Sequence, residues 1–197
     1  ANMALKVRHM IRLFVGIPLP ENVRQYLHSL AGGLEGAHWI SPENMHLTLR
    51  FIGEVDEVQA ADVYDALSGI DSSAFEISLS GIETFGRGHM VHTIWAAVPD
   101  DPALSHLHGK VERALVQSGM EPERRKFTPH ITLARVRKSP KGKVAAWLAD
   151  HGGLKTPTFM VDQFVLFRSH LGHHGAHYET LAEYALTYEA ILEAEFS

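Results

Sequence analysis

The 197-residue chain carries 18 Lys and Arg against 23 Asp and Glu, 14 His and no Cys, for a formal charge of -5. At 45% hydrophobic and 21% charged it has the composition of a globular protein with its own core, not that of a disordered chain. The missing Cys excludes a disulfide scaffold, a cysteine metal site and a thiol nucleophile; no apolar run reaches the roughly 20 residues that span a bilayer, and the acidic balance argues against wholesale coating of nucleic acid.

Residues 1–9 carry no periodic pattern before Met10, so they are expected to be a cloning scar or disordered extension outside the fold. The segment is too short and polar for a signal peptide, and a cytoplasmic location is the expectation. Residues 11–17 then read as a buried strand stopped by Pro18 and Pro20. Val23, Tyr26, Leu27, Leu30 and Leu34 recur at helical spacing and predict a helix ending near Gly32-Gly33. A second strand is expected over 46–52, closed by Gly53, and a second helix from about Val58 to Gly69. Strands at about 75–82 and 91–98 follow, separated by the turn-rich Phe85-Gly86-Arg87-Gly88.

Asp101-Pro102 is a helix start, and Leu104, Leu107, Val111 and Leu115 give that helix its apolar stripe up to Gly119. A strand over 130–136, a helix over 141–150, and strands at about 158–169 and 178–186 complete the order. Each half mixes helices with strands able to pair antiparallel. The expectation is one α+β domain over 10–197: two lobes related by a pseudo-two-fold, two antiparallel sheets flanking a cleft, helices outside.

One local pattern occurs twice. His46-Leu47-Thr48-Leu49 and His130-Ile131-Thr132-Leu133 both read His-φ-Thr-φ, where φ is apolar, one in each half. Composition yields roughly 0.1 such motif by chance, so two copies are about a one-in-a-hundred event. On a strand, residues two apart share a face. Leu47 and Leu49 therefore enter the core while His46 and Thr48 face the cleft, and Ile131 and Leu133 do the same for His130 and Thr132. A lone His and Thr on a strand is ordinarily a satisfied structural pair; the matched copies outweigh that reading. Two imidazoles and two hydroxyls around one pocket suit phosphodiester cleavage. One His accepts a proton from water, the other protonates the departing oxygen, and the hydroxyls support the phosphate.

With these motifs the chain resembles the two-histidine (2H) phosphoesterase superfamily, and within it the RNA 2',3'-cyclic phosphodiesterases, also called 2'-5' RNA ligases. The opening strand from Arg12 to Ile17, the block from Trp39 through Asn44 to Gly53, the block Phe127-Thr128-Pro129-His130 to Arg135, and the hairpin bearing Ser169-His170-Leu171, Gly175 and Tyr178-Glu179 all carry the likeness. The resemblance implies the pseudo-symmetric 2H fold and hydrolysis of an RNA or nucleotide 2',3'-cyclic phosphate to a 2'-phosphomonoester, with reversible 2'-5' joining. It implies no cofactor and no metal. It makes His46 the proton donor and His130 the proton acceptor, with Thr48, Thr132 and Arg135 holding the phosphate. Strict alternation, however, puts Arg135 opposite His130 and Thr132, so reaching the cleft demands a strand end, a twist or a bulge.

Arg124, Arg125, Lys126, Arg135, Arg137, Lys138, Lys141 and Lys143 cluster around the second motif, as an RNA 3' end would need. Further candidate substrate contacts are Arg50, on the face of His46 and Thr48 by period 2, with Arg125, Phe127 and Tyr178. Trp39 and Phe127 are weighed as base-stacking groups but read mainly as core. His170, His173, His174 and His177 crowd a Gly-rich turn without the spacing of a metal site. The expected partner is an RNA 3' end or small nucleotide bearing the cyclic phosphate, acted on by a monomer away from any membrane. The alternatives are a nucleotide- or RNA-binding module without turnover, or a phosphoesterase acting on 2'-5' oligonucleotides or other cyclic phosphates.

Overall fold

The computed structural model describes residues 9–188. The expected extension over 1–9 lies outside them except for His9, as do residues 189–197 of the expected domain. The order is β1 (Ile11–Pro18), α1 (Glu21–Ser29), β2 (Ala37–Trp39), a 3-10 turn (Pro42–Asn44), β3 (His46–Val55), α2 (Glu57–Ser68), β4 (Phe75–Ile77), β5 (Ile82–Arg87), β6 (Met90–Ala97), α3 (Pro102–Gln117), β7 (His130–Val136), α4 (Lys141–His151), β8 (Phe159–Val161), β9 (Gln163–Gly172) and β10 (Gly175–Ala185).

The helices begin where local chemistry starts them. Asp56 and Gln59 close a capping box on α2, each accepting the other's backbone N–H, at 2.9 and 3.1 Å. Asp101 accepts the Leu104 N–H at 3.0 Å ahead of Pro102 on α3. The predicted first helix stops at Ser29, short of Leu34; Leu30 and Leu34 pack on the core from an irregular segment.

Two four-stranded antiparallel sheets result, in the orders β10-β9-β1-β3 and β2-β7-β6-β5, with a two-stranded β4-β8 ribbon. Read from their centres, they share a three-stranded unit: β9-β1-β3 in one, β5-β6-β7 in the other. Each motif strand holds the same place in its unit, and the fourth strand joins opposite edges. The chain halves do not map onto the sheets. The first sheet takes β1 and β3 from the first half and β9 and β10 from the second, whereas β2 crosses over to pair with β7. That strand is three residues long, too short for an alternation to register in sequence.

The segment Phe85-Gly86-Arg87 is strand, not turn. A Cβ on Gly86 would stand 2.1 Å from the Met90 carbonyl oxygen, so the glycine serves a close backbone approach at a register shift and the chain reverses one step later. Leu47, Leu49, Ile131 and Leu133 are fully buried, as their alternation requires, within one core cluster that also takes Leu104, Leu107, Val111 and Leu115 from α3.

Candidate active site

The two motif strands carry the same irregularity at the same place. Against β1, Thr48 pairs with Gly16 and Arg50 with Val15, which leaves Leu49 as an extra residue. Against β6, Thr132 pairs with Trp95 and Ala134 with Ile94, which leaves Leu133 extra. A bulge at the second φ position reverses the alternation beyond it. In β7 this swings Arg135 onto the face of His130 and Thr132, where it lines the cleft, exposed and without a hydrogen bond among the described residues. In β3 the same bulge turns Arg50 away and brings Phe51 to the cleft instead.

The expectation that Arg50 shares the face of His46 and Thr48 is therefore corrected. Arg50 is 6% exposed. Its Nε donates to Glu112 Oε2 on α3 at 2.6 Å, one terminal nitrogen to the Phe51 carbonyl at 2.5 Å, and the other to the Glu121 carbonyl. Glu112 in turn accepts the Glu123 N–H at 2.9 Å. Burial raises the Glu112 carboxyl, but the hydrogen bond from Arg50 and that from Glu123 outweigh it and hold the group below its ordinary value. Arg50 is a tie between β3, α3 and the loop over 121–128, with each of its three guanidinium nitrogens donating to one of them.

A cleft of about 560 Å³ lies between the sheets and brings His46, Thr48, His130, Thr132, Arg135, Arg125 and Tyr178 together. In both motifs the ring Nδ1 lies against the carbonyl two residues upstream: Asn44 O at 2.8 Å for His46 and Thr128 O at 2.7 Å for His130. A carbonyl only accepts, so each Nδ1 carries hydrogen and each Nε2 turns to the cleft. Asn44 is itself fixed, its amide donating to the Ala176 carbonyl at 2.8 Å.

The surroundings then differ. His46 sits among Phe14, Tyr178 and Phe167 at ring-centroid distances of 4.8, 5.2 and 5.8 Å, and its Nε2 meets Thr48 Oγ1 at 2.9 Å. Burial pushes its pKa down to about 4; the Asn44 carbonyl opposes this and neighbouring His130 adds to it. The free site therefore holds His46 neutral, with Nε2 accepting the Thr48 hydroxyl. His130 is half-buried, bordered by Phe85 and Trp95 at 5.2 and 5.5 Å, and its Nε2 has no partner among the described residues. Opposite Thr48 stands Gly16, where a Cβ would lie 3.1 Å from the Leu47 carbonyl and 3.4 Å from both His46 Cδ2 and Phe167 Cε2. Opposite Thr132 stands Trp95, 4% exposed, its indole N–H without a partner among the described residues.

A second cavity of about 400 Å³ opens beside Thr48 and His130, walled by Phe51, Phe85, Phe127 and Arg125. Phe127 is stacked flat on His108 at 3.9 Å, and burial lowers the His108 pKa. Arg125 is braced by Glu123 at 3.0 Å, and the Arg125 guanidinium and backbone N–H hold the Glu123 carboxyl down at about 2. Trp39 packs on Trp147 at 5.3 Å, away from the cleft. The basic cluster divides: Arg125, Lys126 and Arg135 flank the cavities, while Arg124, Arg137, Lys138, Lys141 and Lys143 line neither.

On the β9–β10 hairpin, Ser169, Leu171, Ala176 and Tyr178 form a cleft wall. His170 and His177 pair across its other face, and His170 Nε2 meets Glu179 Oε2 at 2.6 Å. Among the described residues no group of three or more His, Asp or Glu could hold a metal, and no helix among them is long and apolar enough to cross a membrane.

Sequence reasoning missed the rings that frame each imidazole: Phe14, Phe167, Phe85 and Trp95. For Phe14 and Trp95 the signal was present in the alternation of β1 and β6, since Phe14 and Gly16 share one face; Phe167 on β9 and Phe85 on β5 join them through strand pairing. Which face meets the cleft followed only from the pairing.

A family model described as LigT like Phosphoesterase matches residues 17–95 and 97–178. The RNA 2',3'-cyclic phosphodiesterase of Aeropyrum pernix is 34% identical over 146 residues, covering 73% of this chain and 83% of that protein. A crystal structure of a Thermus thermophilus protein aligns with TM-score 0.76 at 25% identity, covering 91% of this chain and 100% of that one. Escherichia coli LigT complexed with 3'-AMP aligns with TM-score 0.74 at 25% identity, over 91% and 99%.

Proposed function

The chain belongs to the LigT-like phosphoesterase family, and from that premise we propose that it hydrolyses the 2',3'-cyclic phosphate of an RNA 3' end or small nucleotide to a 2'-phosphomonoester. The observation that carries the reading is the pair of Nδ1-anchored imidazoles presenting Nε2 to one cleft, flanked by Thr48, Thr132 and the bulge-delivered Arg135. Relatives named for this activity and the 3'-AMP bound to E. coli LigT support a nucleotide in that cleft.

His130, open at Nε2, takes a proton from water as its oxygen attacks phosphorus. The P–O3' bond breaks, and His46 gives a proton to the departing 3' oxygen. Thr48, Thr132 and Arg135 stabilise charge growing on the non-bridging oxygens. His46 is neutral in the free site, so its donor role requires the bound phosphate's negative charge to offset burial. The same observation favours a second reading with the roles exchanged, His46 as base and His130 as acid. An activated p-nitrophenyl phosphodiester separates them, because a good leaving group spares only the variant lacking the acid.

Replacing His46 or His130 by Ala is expected to lower kcat on a nucleoside 2',3'-cyclic phosphate by about 10²–10⁴-fold with the circular dichroism unchanged. Near-normal turnover by either variant would refute the paired mechanism. Activity is expected to survive EDTA, and the 2'-monoester is expected as product by chromatography against both isomers.

A further inference from the structure

Beyond the reaction centre, the first sheet carries a second row of donors across three adjacent strands. Arg12 on β1 pairs in register with Ser169 on β9, which pairs with Tyr178 on β10. Paired residues share a face, and all three line the cleft. The Ser169 and Tyr178 hydroxyls make no hydrogen bond among the described residues. Arg12 gives one terminal nitrogen to Glu54 Oε1 at 3.2 Å, an exposed pair that leaves its other N–H donors uncommitted.

Position gives this row its meaning. Gly16, the partner of Thr48, and Arg12 lie four residues apart on β1, about 13 Å at roughly 3.3 Å per residue. The face between them is Phe14, flanked by Phe51 and Phe167. Along β1 the cleft therefore offers a phosphate centre, an aromatic strip and then a row of uncommitted donors. Less the reach of an arginine side chain, the span is that of one nucleotide.

Resting on the function proposed above, we propose that Arg12, Ser169 and Tyr178 form a second phosphate subsite that takes the 5'-phosphate of the terminal nucleotide. The preferred substrate class is then a phosphorylated or chain-linked 3' end over a free nucleoside cyclic phosphate. Arg12 supplies charge and a fork of N–H donors to the phosphate oxygens, and the hydroxyls donate beside it. Tyr178 also touches the His46 ring edge-on, so an occupied subsite sets one wall of the reaction centre.

The test compares adenosine 2',3'-cyclic phosphate with its 5'-phosphorylated form, on wild type and Arg12→Gln. Wild type is expected to favour the 5'-phosphorylated substrate by about tenfold in kcat/KM, with the preference shrinking as salt rises. Arg12→Gln is expected to lose that preference; Ser169→Ala and Tyr178→Phe each lose part of it. Glu54→Gln, which removes the competing carboxylate, is expected to raise it. Turnover of both substrates at equal rates by wild type, or an intact preference in Arg12→Gln, would overturn the subsite and leave the proposed reaction standing. No turnover of either substrate by wild type would overturn the reaction itself and the subsite with it.

Discussion

His46 makes the folded protein sensitive to acid in a way that can be worked out beforehand. Enclosed by Phe14, Phe167 and Tyr178, it falls from 6.5 to about 4 on folding. Between those values the unfolded chain holds a proton that the folded one does not. Stability is therefore complete above pH 6.5 and is lost as pH falls towards 4. At 1.4 kcal/mol per pH unit the full loss is about 3 kcal/mol, of which roughly 2 kcal/mol falls between pH 7 and pH 5.

The perturbation is His46→Phe, which keeps an aromatic ring in the box and removes the titration. Urea unfolding of both proteins at pH 7 and pH 5 gives two differences. Wild type is expected to lose roughly 2 kcal/mol more than the variant, or roughly 4–8 °C in melting temperature. His108, also lowered by burial, contributes to both slopes and cancels in the comparison. Equal pH slopes would show that the box does not desolvate the imidazole, and the argument for a neutral His46 in the free site would fall.

Two further outcomes follow from packing. Gly16→Ala is expected to push the His46 ring by a few tenths of an ångström and lower kcat about tenfold, with about 1 kcal/mol of stability lost; an unchanged kcat in steady-state assays would show that the ring has room to spare. Arg50→Met is expected to cost about 2–4 kcal/mol in urea unfolding by stranding Glu112 and two carbonyls, and to raise KM by loosening the loop that carries Arg125 and Phe127. A loss below about 0.5 kcal/mol would contradict the role of Arg50 as a tie between elements.

The elements legible in sequence were those with a repeating signal. The α3 stripe, the Asp101-Pro102 start and the alternation of both motif strands as far as their threonines all lie where expected. What stayed hidden depends on pairing. Ala37–Trp39 is three residues of strand whose identity comes wholly from β7. Phe85-Gly86-Arg87 looks like a turn because glycine usually breaks strands, yet here it permits a close approach to Met90. The swap of Arg50 for Phe51, and of opposite-facing for cleft-facing Arg135, hangs on one unpaired residue per strand. Period-2 counting placed His46, Thr48, His130 and Thr132 correctly because all four precede the bulge; it misplaced Arg50 and left Arg135 unresolved because both follow it.

The repeated bulge shows how a duplicated plan yields an unequal site. The same backbone device, one extra leucine after each threonine, delivers an arginine to the cleft from β7 and a phenylalanine from β3, because the sequences differ two residues on. A second pair of equivalent positions completes the asymmetry: Gly16 lets Phe167 close on His46, whereas Trp95 fills the space beside His130. The result is one desolvated imidazole on an aromatic wall and one half-buried imidazole in a cleft that Arg135 also lines. General acid–base catalysis needs unlike partners, and two copies in identical surroundings would titrate together. The pseudo-symmetry places the nitrogens; the departures from it, at Gly16 against Trp95 and Phe51 against Arg135, give the two imidazoles the unlike surroundings that the proposed acid–base reaction requires.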